Sequence, residues 1–182
     1  MRKFFTAVLL LGLCLSASNV AGRQSDAQQR ARELAASFSK SKHQVKEKHG
    51  VRVEKFKDVR SEPVFRQNAA DYSGEYEADS QYPLSMRVAA DGVVEANGYE
   101  PAPQGPRRFT LRGAKIAGAL LTATKVYDDG STEKFEAVFI NRTERNRPDD
   151  PGTTEFGLGV VYDPPKVEES YTMGRLFYRL KQ

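Results

Sequence analysis

The sequence predicts a mainly β protein: a single antiparallel up-and-down barrel of about eight strands with one N-terminal helix. From Tyr72 onward, short segments alternate apolar and polar residues and are divided by turn residues. That stretch has no second helical block, so sequential antiparallel neighbours are its simplest topology. Ahead of it, apolar residues recur at helical spacing in one place only, between Ala27 and Phe38. Eight antiparallel strands closed on themselves leave no exposed edge and enclose either packed side chains or one small ligand. An open sandwich is the alternative architecture.

The chain opens MRKFFTAVLLLGLCLSASNVAG, with Arg2 and Lys3, an apolar run from Phe4 to Leu15, and small residues after it. This is the pattern of a secretory signal peptide, with cleavage after Ser18 or near Gly22. About twelve apolar residues are too few to span a bilayer. The expected division is 1–22 signal peptide, 23–70 basic helix plus extended arm, and 71–182 barrel, with the mature chain secreted or periplasmic. Cys14, the single cysteine, lies within the apolar run and follows Leu13, which does not suit a lipidation site. Signal removal would leave no thiol nucleophile, no disulfide and no cysteine metal site. About 160 residues suffice for one core.

The formal charge of +4 is unevenly spread. Residues 1–60 hold 13 Lys+Arg against 5 Asp+Glu, and residues 61–182 hold 15 against 19. A basic arm thus precedes a mildly acidic body, and can dock on that body or on an anionic surface outside it.

The arm begins with SDAQQRARELAASFSKSKHQVKEKHG, read as one helix. Ser25 and Gln28 form a capping box, Asp26 complements the positive helix end, and Gly50 is the stop. Ala27, Ala31, Leu34, Ala35 and Phe38 make a thin apolar stripe, with Val45 as its continuation, suited to docking on a larger body. VRVEKF follows as a short edge strand or extended linker limited by Pro63.

In the body, YSGEYEA is the first strand candidate. YPLSMRVAA is the second, with Leu84, Met86 and Val88 on one face. Asp91-Gly92 marks a hairpin into VVEANGYE. RRFTLR, the broken segment AKIAGALLTATKVY, TEKFEAVFINR, TTEFGLGVV and SYTMGRLFYRLK complete the series. Arg87, Glu95, Arg108, Arg112, Lys125 and Glu136 are expected to face outward. With a mean hydropathy of −0.60, they argue against a lipid-facing wall.

The segment DYSGEYEA resembles the opening strand of lipocalin-like, calycin-type barrels, which carries Gly-x-Trp after a short helix. Here the pattern is Gly74, Glu75 and Tyr76, a form also met in small secreted bacterial barrels with an Asp-Gly hairpin. The resemblance covers Tyr72 to Lys181. It implies that Tyr76 closes one barrel end, with Arg175 or Arg179 of the final strand stacked across its ring. The chain departs from the pattern in having no tryptophan and in ending on a strand.

Catalysis finds little to work with. His43 and His49 are six apart on the expected helix and do not share a face. Asp128-Asp129-Gly130 and Asp149-Asp150 with Gly152 read as turns, without the ligand series of a calcium loop. No serine sits in a nucleophile elbow. Asn141-Arg142-Thr143 reads as the end of a strand, and Gly157 and Gly159 as sites of bending or close backbone approach. No enzyme activity, cofactor or metal is expected.

Two binding functions remain. The barrel is expected to bind a small apolar ligand or a partner protein, with Tyr76, Tyr99, Phe109, Tyr127, Phe139 and Arg175 as the ligand residues. Alternatively, Lys40, Lys42, Lys46, Lys48, Arg52, Lys55 and Lys57 contact an anionic surface or polymer of the envelope. The thin apolar stripe does not suit a membrane-surface helix. Nucleic acid is not expected, since Phe56 is the sole aromatic residue within the basic segment. No transmembrane segment is expected after signal removal.

Overall fold

A computed structural model of the chain describes residues 25–161 and 174–181. The expected signal peptide with Cys14, and Tyr171, lie outside the described residues. Helix α1 covers residues 25–37. The strands are β1 (Lys40–Lys48), β2 (Val51–Pro63), β3 (Gly74–Ala78), β4 (Tyr82–Val88), β5 (Val94–Glu100), β6 (Arg107–Ala117), β7 (Leu120–Tyr127), β8 (Thr132–Arg145), β9 (Thr153–Val161) and β10 (Arg175–Leu180). Strands β3 to β10 pair in chain order, and β10 pairs with β3 to close an eight-stranded antiparallel barrel. The hairpin β1–β2 extends from it, β2 pairing with the far half of β8.

Alternation explains the interior. Leu84, Met86 and Val88 of β4 point inward while Arg87 is exposed, and Phe135, Ala137 and Phe139 do the same on β8. They meet Tyr72, Tyr76, Phe109, Leu121, Leu158 and Tyr178, all at most 1% exposed, so side chains fill the barrel. The period of two breaks at Ala137-Val138-Phe139-Ile140, where all four residues are buried. A strand covered on both faces reads as a continuous apolar run. Here the outer cover is α1, whose Ala31, Leu34 and Ala35 pack with Ala119, Leu120, Val138 and Ile140. Arg30 clamps Glu136 beside this contact, Nη2 to Oε2 at 2.7 Å and Nε to Oε1 at 3.1 Å. The Phe38 ring lies over Gly159, where an added Cβ would sit 2.8 Å from the ring carbons.

The helix ends at residue 37, not at Gly50. The amides of Phe38 and Ser39 bond the carbonyls of Ala35 and Ala36, tightening the last turn, and Ser37 Oγ donates to Leu34 O. The chain then leaves as β1, paired with β2 over nine residues from Lys40↔Val59 to Lys48↔Val51. Val45 accordingly sits on an exposed strand rather than on the helix stripe. His49 and Gly50, at φ 52° and 73°, form the two-residue turn whose twist suits a hairpin. Pro63, which lacks a donor, ends β2 as the sequence suggests.

Lys125 corrects another expectation. It shares its face of β7 with Leu121 and Tyr127 and is 2% exposed. At the Tyr76 end, Tyr72 stacks on Phe139 with centroids 4.0 Å apart, and Tyr76 OH donates to Tyr72 O at 2.6 Å. Arg66, ahead of β3, lies 5.0 Å from the Phe156 centroid. The guanidinium at this aromatic cluster therefore comes from that segment, while Arg175 and Arg179 are exposed on the outer side of β10. Burial pushes the Tyr76 phenol well above its ordinary pKa, keeping it a donor.

Candidate functional site

The β1–β2 hairpin sorts its charges by face. Paired residues on antiparallel strands share a side, and alternate pairs face opposite ways. Lys40, Lys42, Gln44 and Lys46 therefore lie with Val53, Lys55, Lys57 and Val59. On the reverse are Ser41, His43, Val45 and Glu47 with Arg52, Glu54, Phe56 and Asp58. Five lysines thus share a face without a carboxylate from the hairpin, whose four acids, Glu47, Glu54, Asp58 and Glu62, are all on the other. Even-numbered lysines on β1 and odd-numbered ones on β2 produce this once the two-residue turn fixes the register.

The hairpin's position gives that face its direction. β8 accompanies β2 only from Asp58↔Arg145 to Pro63↔Ile140, so residues 42–57 form a two-stranded ribbon beyond the barrel wall. Eight residues from Asp58 to Gly50 span about 26 Å. Pro63 pairs with Ile140, which lies under α1, so the odd-numbered side of β2 is the outer side of the wall. Lys40, Lys42, Lys46, Lys55 and Lys57 are all exposed there. Lys57 Nζ lies 2.8 Å from Glu144 Oε1, and its hydrogen bond is the main cause lowering the Glu144 pKa. The other four make no ion pair among the described residues. Arg52 sits on the reverse face opposite Glu47, and Lys48 is placed by backbone register opposite Val51.

The reverse face is neutralised from within. His43 Nε2 lies 2.6 Å from Glu54 Oε1, and the His43 ring meets Phe56 edge-on at 5.7 Å. Asp58 takes Arg145 and Arg60, with the Arg145 hydrogen bond the main cause holding its carboxyl below the ordinary range.

At the ribbon's foot is a recess of about 740 Å³ between the end of α1, the ribbon and the outer side of β10. Lys40, Lys57, Arg142, Arg175, Arg179 and Phe177 line it, together with Ser37, Ser39, Glu77, Asp79 and Glu155. Arg179 is engaged by Glu155 at 3.0 Å and Glu77 at 3.6 Å, and Arg142 by Glu144 at 2.8 Å. Arg175 makes no ion pair among the described residues.

The six residues expected around an interior ligand do not converge on a cavity. Tyr76, Phe109 and Phe139 are wholly buried in the filled core, Tyr127 is buried at its margin, Tyr99 is exposed, and Arg175 lies outside in the recess. Near the margin is a polar cluster that the sequence does not announce. Lys125 Nζ pairs with Glu100 Oε2 beneath the rings of Phe109 and Phe135, and Tyr127 OH lies 2.7 Å from Glu100 Oε1 and 2.5 Å from Glu133 Oε2. Alternating inward positions on β7 were its only trace.

The remaining sequence candidates have local roles. Asp129 accepts the Ser131 amide and meets Arg107, contacts that lower its pKa to about 2, with the Ser131 bonds the largest cause. Asp150 Oδ1 accepts the Gly152 amide within its turn. Among the described residues no group of three or more His, Cys, Asp or Glu is arranged to hold a metal, and no helix is long and apolar enough to cross a membrane. Set beside known proteins, the chain matches no family model, no curated protein and no solved structure.

Proposed function

We propose that this chain is an exported, noncatalytic envelope protein in which a lipocalin-like barrel is the scaffold and the β1–β2 ribbon contacts an anionic surface or polymer. The observation that carries the reading is the gathering of Lys40, Lys42, Lys46, Lys55 and Lys57 on one face, with the ribbon's acids on the other. Sorting by sign gives the ribbon a cationic side that its own carboxylates do not pair with across the strands. Each lysine near an anionic surface contributes about 1 kcal/mol, and salt weakens the contact. A ligand within the barrel would instead have to displace Tyr76, Phe109 and Phe139 from their packing.

Sedimentation with envelope fragments tests the reading. The wild-type chain is expected to pellet at low ionic strength and to be released as salt rises. The K42Q/K46Q/K55Q variant, altered only at exposed positions, is expected to stay in the supernatant with an unchanged thermal melt. Equal pelleting of the two chains at low salt would refute the proposal.

A further inference from the structure

We infer that the lysine face and the recess at its foot form one continuous track for an extended linear polyanion. The inference rests on the anionic contact proposed above and specifies its partner. Lys40 and Lys57 belong to both surfaces, since they lie on the cationic face of the ribbon and also line the recess. A partner leaving the ribbon toward the barrel passes them and meets Arg175, an exposed guanidinium without an ion pair among the described residues.

Shape favours a chain over a bilayer. A recess set between the end of α1, the ribbon and β10 is re-entrant, so a planar surface resting on the ribbon lysines does not enter it. Spacing agrees: Lys40 and Lys42 are two residues apart on one strand, about 6.7 Å, and Lys55 and Lys57 repeat that interval on the other. The cations therefore form two rows along the ribbon, a pattern that an extended chain of charged units matches along its length. The span from Lys46 to Lys40 is about 20 Å, and the recess, which Lys40 and Lys57 also line, carries the track beyond it.

The recess alone is a weak site. Glu155 is occupied by Arg179 at 3.0 Å, Glu77 by Lys181 at 2.9 Å and by Arg179 at 3.6 Å, and Asp79 lines the recess with no ion pair among the described residues. Its positive charge is thus partly cancelled, and it holds an anionic unit only as the continuation of a chain already on the lysine face.

Titration with triphosphate and with polyphosphate fractions of increasing length, alongside phosphatidylglycerol vesicles, tests the inference. Affinity is expected to rise with chain length past the roughly 20 Å of the lysine row, and to level once the polymer also fills the recess. K55Q and R52Q remove the same charge from opposite faces. K55Q is expected to weaken binding several-fold and reduce the slope of log K against log salt by about 0.7, while R52Q changes little. R175Q is expected to weaken long fractions and leave triphosphate unaffected. Affinity independent of length, equal losses in K55Q and R52Q, or tighter binding to vesicles than to long polyphosphate would each overturn the track. If vesicles capture the chain, long polyphosphate does not, and envelope fragments still pellet it, the linear partner falls while the anionic contact stands. Failure to pellet with envelope fragments removes that contact itself.

Discussion

Lys125 and Ser61 are the buried polar residues whose environments differ most. Removing an ammonium from water costs several kcal/mol unless a partner compensates. At Lys125 the partner is Glu100, and the faces of Phe109 and Phe135 lie 5.0 and 5.2 Å from Nζ. Tyr127 has one phenolic proton for two carboxylates. Burial first, then the carboxylates of Glu133 and Glu100, raise its pKa well above the ordinary phenol value, so that proton is retained. Glu100→Gln is expected to deprive the buried ammonium of its carboxylate and cost about 3 kcal/mol in urea unfolding. The double variant K125M/E100L is expected to recover much of that loss, and equal losses in the single and double variants would show that the pair is not the source. Ser61 is the contrasting case, because its buried Oγ finds no hydrogen-bond partner among the described residues. Ser61→Ala removes an unsatisfied hydroxyl, so its melting temperature should equal or exceed that of the wild type.

Helix α1 and the ribbon follow one another directly, yet different forces hold them. The helix is placed by alanine-rich packing on Val138 and Ile140 and by the Arg30–Glu136 clamp. The Arg30 hydrogen bond is the main cause lowering the Glu136 pKa, so this pair stabilises the fold above the ordinary carboxylate range. That contribution is lost as pH falls through the lowered value. Amide exchange over residues 25–37 should accelerate in acid relative to the barrel strands, and Glu136→Gln should reduce the difference between neutral and acid pH. An unchanged profile in Glu136→Gln would remove the clamp from the account. The helix was legible because Ala31, Leu34 and Ala35 recur at its period, and the barrel strands because their inward residues alternate. Residues 40–48 were not, because Lys, Gln and Glu suit a helix by intrinsic propensity and carry no apolar alternation. Their strand form comes from pairing with β2, a tertiary contact that composition does not encode. The lysine face was equally hidden: its residues were visible as a basic run, but their common side depends on the register set at His49-Gly50.

The whole molecule divides into a closed body and a projecting ribbon, and each should fail separately. Closure depends on β10 meeting β3 and on β8 meeting both β7 and β9, none of which involves residues 42–57. Within that stretch Phe56 is half-buried, and no residue with a described side chain reaches full burial. Its excision therefore removes little of the apolar burial that stabilises the fold. Lys40 and Val59 are directly paired, eight pairs along the ladder from Lys48↔Val51 and so in the same hydrogen-bonded phase, and an Asn-Gly turn replacing residues 41–58 would close a shortened hairpin in the same register. This excised chain is expected to keep Lys40, Lys57's former neighbour Glu144, and the barrel contacts of Val59, and to melt within a few degrees of the full chain. It should no longer pellet with envelope fragments at low salt, because Lys42, Lys46, Lys55 and Lys57 are gone while the body remains mildly acidic. A large drop in melting temperature would make the ribbon part of the folding unit. Undiminished pelleting by a chain with an intact melt would move the contact to the barrel, where Arg175 and its recess are the first positions to substitute.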